Sequence, residues 1–213
     1  LVQRNALLRQ MNEPGRDTAS DREMLELWDH TLAAAGARVT LARSLYIDKL
    51  QPIAAEIYAG LSGGREQLSL RWESPAFAPG LTPAEIAARW LAALQAARRA
   101  DRGAGFSTVG PHREDLTLTL NGTEVRTYGS QGQQRSAVLA LKMAEAVLLQ
   151  EVTGEPPVAF LDDVMSELDV SRQEYILNHI DGWQVFITGC EPSAALRMTA
   201  GKVFHIKQGV LSE

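Results

Sequence analysis

Apolar residues recur at Trp28, Leu32, Ala35, Val39, Ala42 and Tyr46, alternately four and three positions apart. That is a heptad stripe, and it predicts an amphipathic helix that begins at Ser20, where S-x-x-E to Glu23 forms a capping box. Fewer than three repeats are present. This is too few for a long coiled coil, so the expectation is an antiparallel helical hairpin packed on itself. A second helix is expected after Thr82-Pro83-x-Glu85, with Pro at its first position. Ile86, Trp90, Leu94 and Ala97 would form its buried face, and Arg98, Arg99 and Arg102 would close it before Gly103. Two readings stand for that arginine cluster: interaction with the helix C-terminus, or a phosphate contact.

The pattern changes near residue 104. L-T-L-T-L at 116–120 alternates with period two, Asn121-Gly122 signals a two-residue hairpin, and 123–128 is expected to return as a strand. A long helix follows over roughly 131–152. The run P-V-A-F-L at 157–161 has the continuous apolar character of a buried parallel strand. Ser171-x-x-Glu174 predicts another helix start, and 183–187 and 202–206 are two more candidate strands. The expectation is a mostly helical lobe over 1–103 (a short helical hairpin plus a small strand region) and an α/β part over 104–213 with right-handed crossovers.

Composition narrows the class. The chain has 213 residues, 45% hydrophobic and 22% charged, an ordinary globular balance. Net charge is −5, which argues against a uniformly basic nucleic-acid binder but leaves room for a local basic face. With Cys190 alone, no internal disulfide can form, and a reduced, cytoplasmic protein is expected. No apolar run approaches membrane-spanning length. His30, His112, His179 and His205 are scattered, so a zinc site is not expected.

One short stretch offers two false leads. G-L-S-G-G-R-E at 60–66 fits G-x-S-x-G, the nucleophile elbow of serine hydrolases, and also the L-S-G-G start of an ABC-type signature. Either would need Ser62 to open a helix. Residues 53–59 look helical and 67–72 alternate like a strand, which is the reverse order, so 60–64 reads as a Gly-rich turn. The better phosphate-site pattern is G-S-Q-G-Q-Q-R-S at 129–136, after a strand and into the long helix. There Ser130 stands at the N-cap and Gly132 permits close backbone approach. A simple capped helix is the alternative. Thirty positions after Gly132, an apolar strand ends in Asp162-Asp163, the Walker B pattern. A first carboxylate there can hold Mg²⁺ and a second can act as general base. Ser166, Leu168 and Asp169 then follow as S-x-L-D, like the D-loop of ABC-type ATPases.

These three ordered motifs resemble the end of an ABC-type (P-loop NTPase) ATPase head of the SMC and Rad50 kind. G-P-H-R-E-D-L at 110–116, Y-G-S-Q-G-Q-Q-R-S at 128–136, F-L-D-D-V-M-S-E-L-D at 160–169 and Q-R-N-A-L-L at 3–8 resemble, more narrowly, the RecF family of bacterial recombination-repair proteins. The resemblance covers essentially the whole chain. It implies an α/β fold: the C-terminal part of an ABC-type head with a mostly helical second lobe. It also implies a weak ATPase that works as an ATP-gated homodimer on double-stranded DNA near single-strand gaps and junctions. With RecO and RecR as partners, such proteins help load the RecA recombinase. By the same resemblance Asp162 serves Mg²⁺ and Asp163 is the catalytic acid. Ser130, Gly132 and Gln133 meet the γ-phosphate of the partner's ATP, Asp169 lies at the dimer interface, and Thr188 stands near the switch position. His112 and Arg113 are open between a nucleotide or DNA contact and a structural loop.

The sequence departs from the pattern in places. No G-x-x-x-x-G-K-[ST] occurs, and Gly201-Lys202 is followed by Val. Since the chain starts at Leu1, it is expected to be a fragment without the Walker A section, inactive alone. Gln131 stands where many ABC proteins have Gly, and Asp163 where Glu is usual. A slow ATPase used as a switch would suit both. The competing reading is a binding module whose ATP site is lost. A Rad50-like or SMC-like head is disfavoured by the short helical lobe.

Overall fold

The computed structural model describes residues 1–190 and 201–212. The helices are α1 (Val2–Gln10), α2 (Ala19–Ser62), α3 (Pro83–Ala104), α4 (Val125–Tyr128), α5 (Gln131–Thr153) and α6 (Val170–His179). The strands are β1 (Leu68–Glu73), β2 (Asp115–Leu120), β3 (Thr123–Glu124), β4 (Ala159–Asp162), β5 (Val185–Thr188), β6 (His205–Lys207) and β7 (Val210–Ser212). They gather into two compact units, Leu1–Ile53 with Leu68–Gly129, and Ala54–Gln67 with Ser130–Glu213. α2 runs through both, and Pro52, which lacks a backbone N–H, lies just before the change of unit.

In the first unit, α2 is one uninterrupted helix, and its start differs from expectation. Its capping box is Thr18 with Asp21: the Thr18 hydroxyl accepts from the Asp21 N–H at 3.2 Å, and the Asp21 carboxylate accepts from the Thr18 N–H at 3.0 Å. Ser20 lies inside the helix. The buried stripe is also displaced. Leu25, Asp29, Ala33, Ala37, Thr40, Ser44, Ile47 and Leu50 face inward, whereas Val39 and Tyr46 of the expected stripe are exposed. Three of those buried positions are polar, so the apolar pattern points to the wrong face. Asp29 and Thr40 each have distant partners. Arg4 donates to Asp29 at 2.7 Å and to Asp101 and Ser107 at 2.7 and 2.6 Å, and Arg98 donates to Asp29 at 2.8 Å. Trp90 Nε1 donates to Thr40 Oγ1 at 3.0 Å, and Thr40 donates to Glu114 at 2.5 Å.

α3 begins as expected, with both halves of the Thr82–Glu85 capping box formed. It ends later than expected, at left-handed Gly105 rather than before Gly103, and its last turns place Asp101 in the core. Ile86, Trp90 and Leu94 pack with Ala33 and Ala37 of α2. β1, β2 and β3 form an antiparallel sheet, with Leu68 opposite Leu120 and Trp72 opposite Leu116. The Asn121-Gly122 turn has φ of 50° and 83°, as an Asn-Gly hairpin requires. The returning strand stops at Glu124, and 125–128 is a single helical turn rather than strand. The side chain of Gln51 closes the free edge of β1 by bonding Leu68 O (3.2 Å) and Leu70 N.

In the second unit, β4 and β5 are a parallel pair, Ala159 opposite Val185 through Asp162 opposite Thr188. α5 buries Ala137, Ala140, Met143, Ala144 and Leu148. One face of the pair is bare: Phe160 and Phe186 stack 5.0 Å apart and are 72% and 49% exposed. The expectation of a strand buried on both faces is therefore not met among the described residues. β6 pairs with β7, which the hydrophobic pattern did not mark.

Candidate nucleotide site

The site builds from two helix starts and one strand end, all in the second unit. Ser130, in extended conformation, caps α5. Its hydroxyl accepts from the Gln133 N–H at 3.2 Å, and Gln133 Oε1 accepts from the Ser130 N–H at 2.8 Å. The cap leaves the first N–H donors of a 23-residue helix at an exposed end, where helix partial charge is positive. Gly132 stands in this first turn. A Cβ added there would meet only Arg172 Nη1, at an ordinary 3.7 Å. No neighbour within the unit demands a glycine at this exposed position. Gly60 is the opposite case: a Cβ there would overlap the Tyr175 ring.

The strand end carries the acids. β4 terminates at Asp162, whose Oδ1 accepts from the Thr188 hydroxyl at 2.5 Å. The same Thr188 oxygen accepts from the Asp163 N–H at 3.1 Å. Thr188 thus couples both acids across the parallel pair. Asp163 has φ of 54°, a left-handed conformation that is uncommon for a residue with a side chain. Ser166 Oγ lies 2.8 Å from both its carbonyl oxygen and its Oδ1, which holds that turn. Both carboxylates are exposed.

Asp169 caps α6. It accepts from the Ser171 hydroxyl at 2.7 Å and the Arg172 N–H at 3.0 Å. These bonds, the Ser171 one foremost, hold its carboxyl below the usual carboxylate range. The helix start expected at Ser171-x-x-Glu174 therefore lies two residues earlier. Buried Gln173 donates to Met165 O and Leu168 O at 2.6 and 2.9 Å and so fixes the S-x-L-D loop. Arg172 lies 3.5 Å from Asp169 and donates to Leu61 O at 3.3 Å.

Ser62 ends α2 rather than opening a helix. It is buried, and its hydroxyl lies 3.2 Å from Ala59 O. The elbow reading fails on geometry. Arg172 and Glu66, both near the site, carry no local sequence signal; Glu66 accepts from Gln133 Nε2 at 2.6 Å and from the Tyr58 hydroxyl at 2.9 Å.

His112 and Arg113 lie in the first unit, each with a local contact. A His112 ring nitrogen is 3.1 Å from Ser107 O, and Arg113 stacks over Phe106 at 5.6 Å. Their loop is tied down by Arg43, which donates to Pro111 O at 2.6 Å and to Glu114 at 2.8 Å. Of the arginine cluster, Arg98 pairs with Asp29 and Arg102 with Asp17 at 2.9 Å. With Arg99, Arg22, Met11 and Leu25 they line a cavity of about 450 Å³.

Among the described residues, no group of three or more His, Cys, Asp or Glu side chains is placed to hold a metal. The oxygens of Asp162 and Thr188 are hard donors that suit Mg²⁺, an ion that usually keeps several waters and takes phosphate oxygens as further ligands. Among the described residues, no helix is long and apolar enough to cross a membrane.

No family model matches the chain. Curated relatives do. It is 41% identical over 220 residues to the DNA replication and repair protein RecF of Rippkaea orientalis, covering 95% of this chain and 58% of that one. It is 42% identical over 221 residues to the RecF of Heliobacterium modesticaldum, covering 100% and 57%. Two solved structures are similar. One is the recombination mediator protein RecF-ATPrS in the RecFOR pathway, with TM-score 0.83, 36% identity, and 99% of this chain and 55% of that chain covered. The other is RecF-ATP in the same pathway, with TM-score 0.82, 34% identity, and 100% and 55% covered. The chain spans a little over half the length of these relatives.

Proposed function

This chain is a RecF homologue along nearly its whole length, with the fold of the corresponding part of an ABC-type ATPase, and from that premise we propose that it is the signature-bearing part of an ATP-driven DNA clamp of replication and repair. Residues 1–103 are then the helical lobe and 104–213 the C-terminal part of the ATPase lobe. One observation carries the reading most directly. Asp162 and Asp163 sit exposed at the C-terminal end of a parallel strand, joined by Thr188 and supported by Ser166. That edge is where α/β sheets bind ligands, and these acids still have free carboxylate oxygens to offer.

In this reading Asp162 holds Mg²⁺, which supplies charge neutralisation at the phosphates when bound. Asp163 takes the proton of the attacking water. Thr188 cannot act as a base; it positions both acids, in the place of the switch residue. Ser130, Gly132 and Gln133 present α5 to the γ-phosphate of ATP held by a second subunit, and Asp169 lies at that interface. The 213 residues contain no G-x-x-x-x-G-K-[ST], so the phosphate loop comes from outside them, and these residues alone do not hydrolyse ATP. The protein works slowly, as a switch, in the cytoplasm. It acts on double-stranded DNA near single-strand junctions, with RecO and RecR, to help load RecA. His112 and Arg113 belong to a loop that orders the lobe.

The test is the mass in solution of the full-length gene product, with and without ATP and Mg²⁺. Wild type is expected to dimerise with ATP, Asp163→Asn to hold the dimer longer, and Ser130→Arg to remain monomeric. If all three stay monomeric, the second reading takes over: a partner-binding module without a working ATP site.

A further inference from the structure

Gln133 has two ends, and both are engaged. Its oxygen accepts from the Ser130 N–H at 2.8 Å and its nitrogen donates to Glu66 at 2.6 Å. An ionised carboxylate can only accept. Glu66 therefore admits only the NH₂ end of Gln133, and that choice turns the oxygen toward Ser130. The second Glu66 oxygen is taken by the Tyr58 hydroxyl at 2.9 Å. Burial, and then the bond to Glu66, push the Tyr58 phenol well above its ordinary value, so it stays a donor. Glu66 is half-buried and follows the turn at Gly63 and Gly64, whose φ values of 63° and 73° suit glycine. The decoy stretch thus ends in a carboxylate aimed at the α5 cap.

We propose that Glu66 is a positioning residue of the signature: it sets the orientation of the Gln133 amide, and Tyr58 holds it in place to do so. The inference rests on the clamp reading for its consequence. It does not rest on that reading for its geometry. With Glu66 in place the cap is formed before any nucleotide arrives, and one Gln133 N–H remains to meet a phosphate. Glu66→Gln substitutes an amide that can present either a donor or an acceptor. Gln133 can then turn over, bringing its NH₂ against the Ser130 N–H, donor against donor, and the side-chain half of the capping box is lost.

The experiment uses the full-length gene product. In the nucleotide-free protein, the side-chain amide resonances of Gln133 are recorded by NMR for wild type, Glu66→Gln and Tyr58→Phe. ATP is then titrated and dimerisation followed by mass. For Glu66→Gln the Gln133 resonances are expected to move, and the ATP needed for half-dimerisation to rise about tenfold, the scale of one lost cap. Tyr58→Phe is expected to give a smaller change in the same direction. Hydrolysis per dimer at saturating ATP is expected to stay at the wild-type rate, whereas general destabilisation would lower it as well. Unmoved Gln133 resonances, or an unchanged ATP requirement beside a responsive wild type, overturn the proposal. If wild type itself ignores ATP, the clamp reading falls, and the Gln133 resonances alone decide whether Glu66 sets the amide.

Discussion

Two sets of polar side chains, one in each unit, are held in opposite ways. In the first, Arg4, Asp29, Asp101, Thr40 and Ser107 are buried and each bonds another member of the unit. In the second, Ser130, Asp162, Asp163 and Asp169 are exposed, and their bonds serve turns and helix caps. A buried polar group with all its partners in place is locked to the fold, because leaving one partner stranded is costly. An exposed carboxylate at a strand end keeps lone pairs for something else. Charged residues in this protein are therefore informative by where their partners lie. The set that bonds inward, save for the buried Arg4 Nη2, which has no partner, is structural, and the outward set is the candidate site.

That contrast can be tested from both sides. The largest expected effect is Arg4→Met, which strands Asp101 without its cation and leaves Asp29 with Arg98 alone. A loss of about 3–5 kcal/mol is expected in denaturant unfolding. A loss below about 1 kcal/mol would mean that the network is ornamental and the contrast false. Next is Thr40→Val, which removes the acceptor of Trp90 and a donor to Glu114. Unfolding should show a loss of about 1–3 kcal/mol.

Gly132→Ala sharpens the other side. The chain tolerates a Cβ there, so the melting temperature should hold or rise, by the equivalent of under about 1 kcal/mol. ATP-driven dimerisation should nevertheless weaken by roughly tenfold, since a phosphate must approach that backbone. A variant that dimerises like wild type would leave α5 an ordinary capped helix. The smallest effect concerns pH. The Asp169 carboxyl lies below its ordinary range in the folded chain, so its cap contribution is complete above the unfolded value and fades as pH falls through the folded one. Melting curves of wild type and Asp169→Asn should differ at neutral pH and converge in acid. Curves that stay equally far apart at all pH would remove the cap from the account.

Local rules were readable at several places, though not at the starts of α2 and α6, whose caps lie at Thr18 and Asp169 rather than at Ser20 and Ser171. The Thr82–Glu85 and Ser130–Gln133 boxes, the Asn121-Gly122 turn and the parallel strands around 159–162 and 185–188 all follow from short-range pattern. The face of α2 was not readable, because Asp29, Thr40 and Ser44 hold buried positions that look like solvent positions in a one-dimensional pattern. The partners of Asp29 and Thr40, namely Arg4, Arg98, Trp90 and Glu114, lie 25 to 74 positions away. Arg172 and Glu66 were missed for the same reason. Neither repeats with any period, and each acts through a residue distant in sequence.

By itself the amino-acid sequence determined the chemistry that this chain can offer: a capped helix behind Gly132, two acids after an apolar strand, and the order in which they come. Caps, turns and strand ends depend on neighbours along the chain, and those neighbours are written in it. The tertiary structure alone decided which polar groups are spent inside and which remain available. That depends on burial and on partners brought from afar, and a carboxylate such as Glu66 acquires its role only when folding sets it against Gln133.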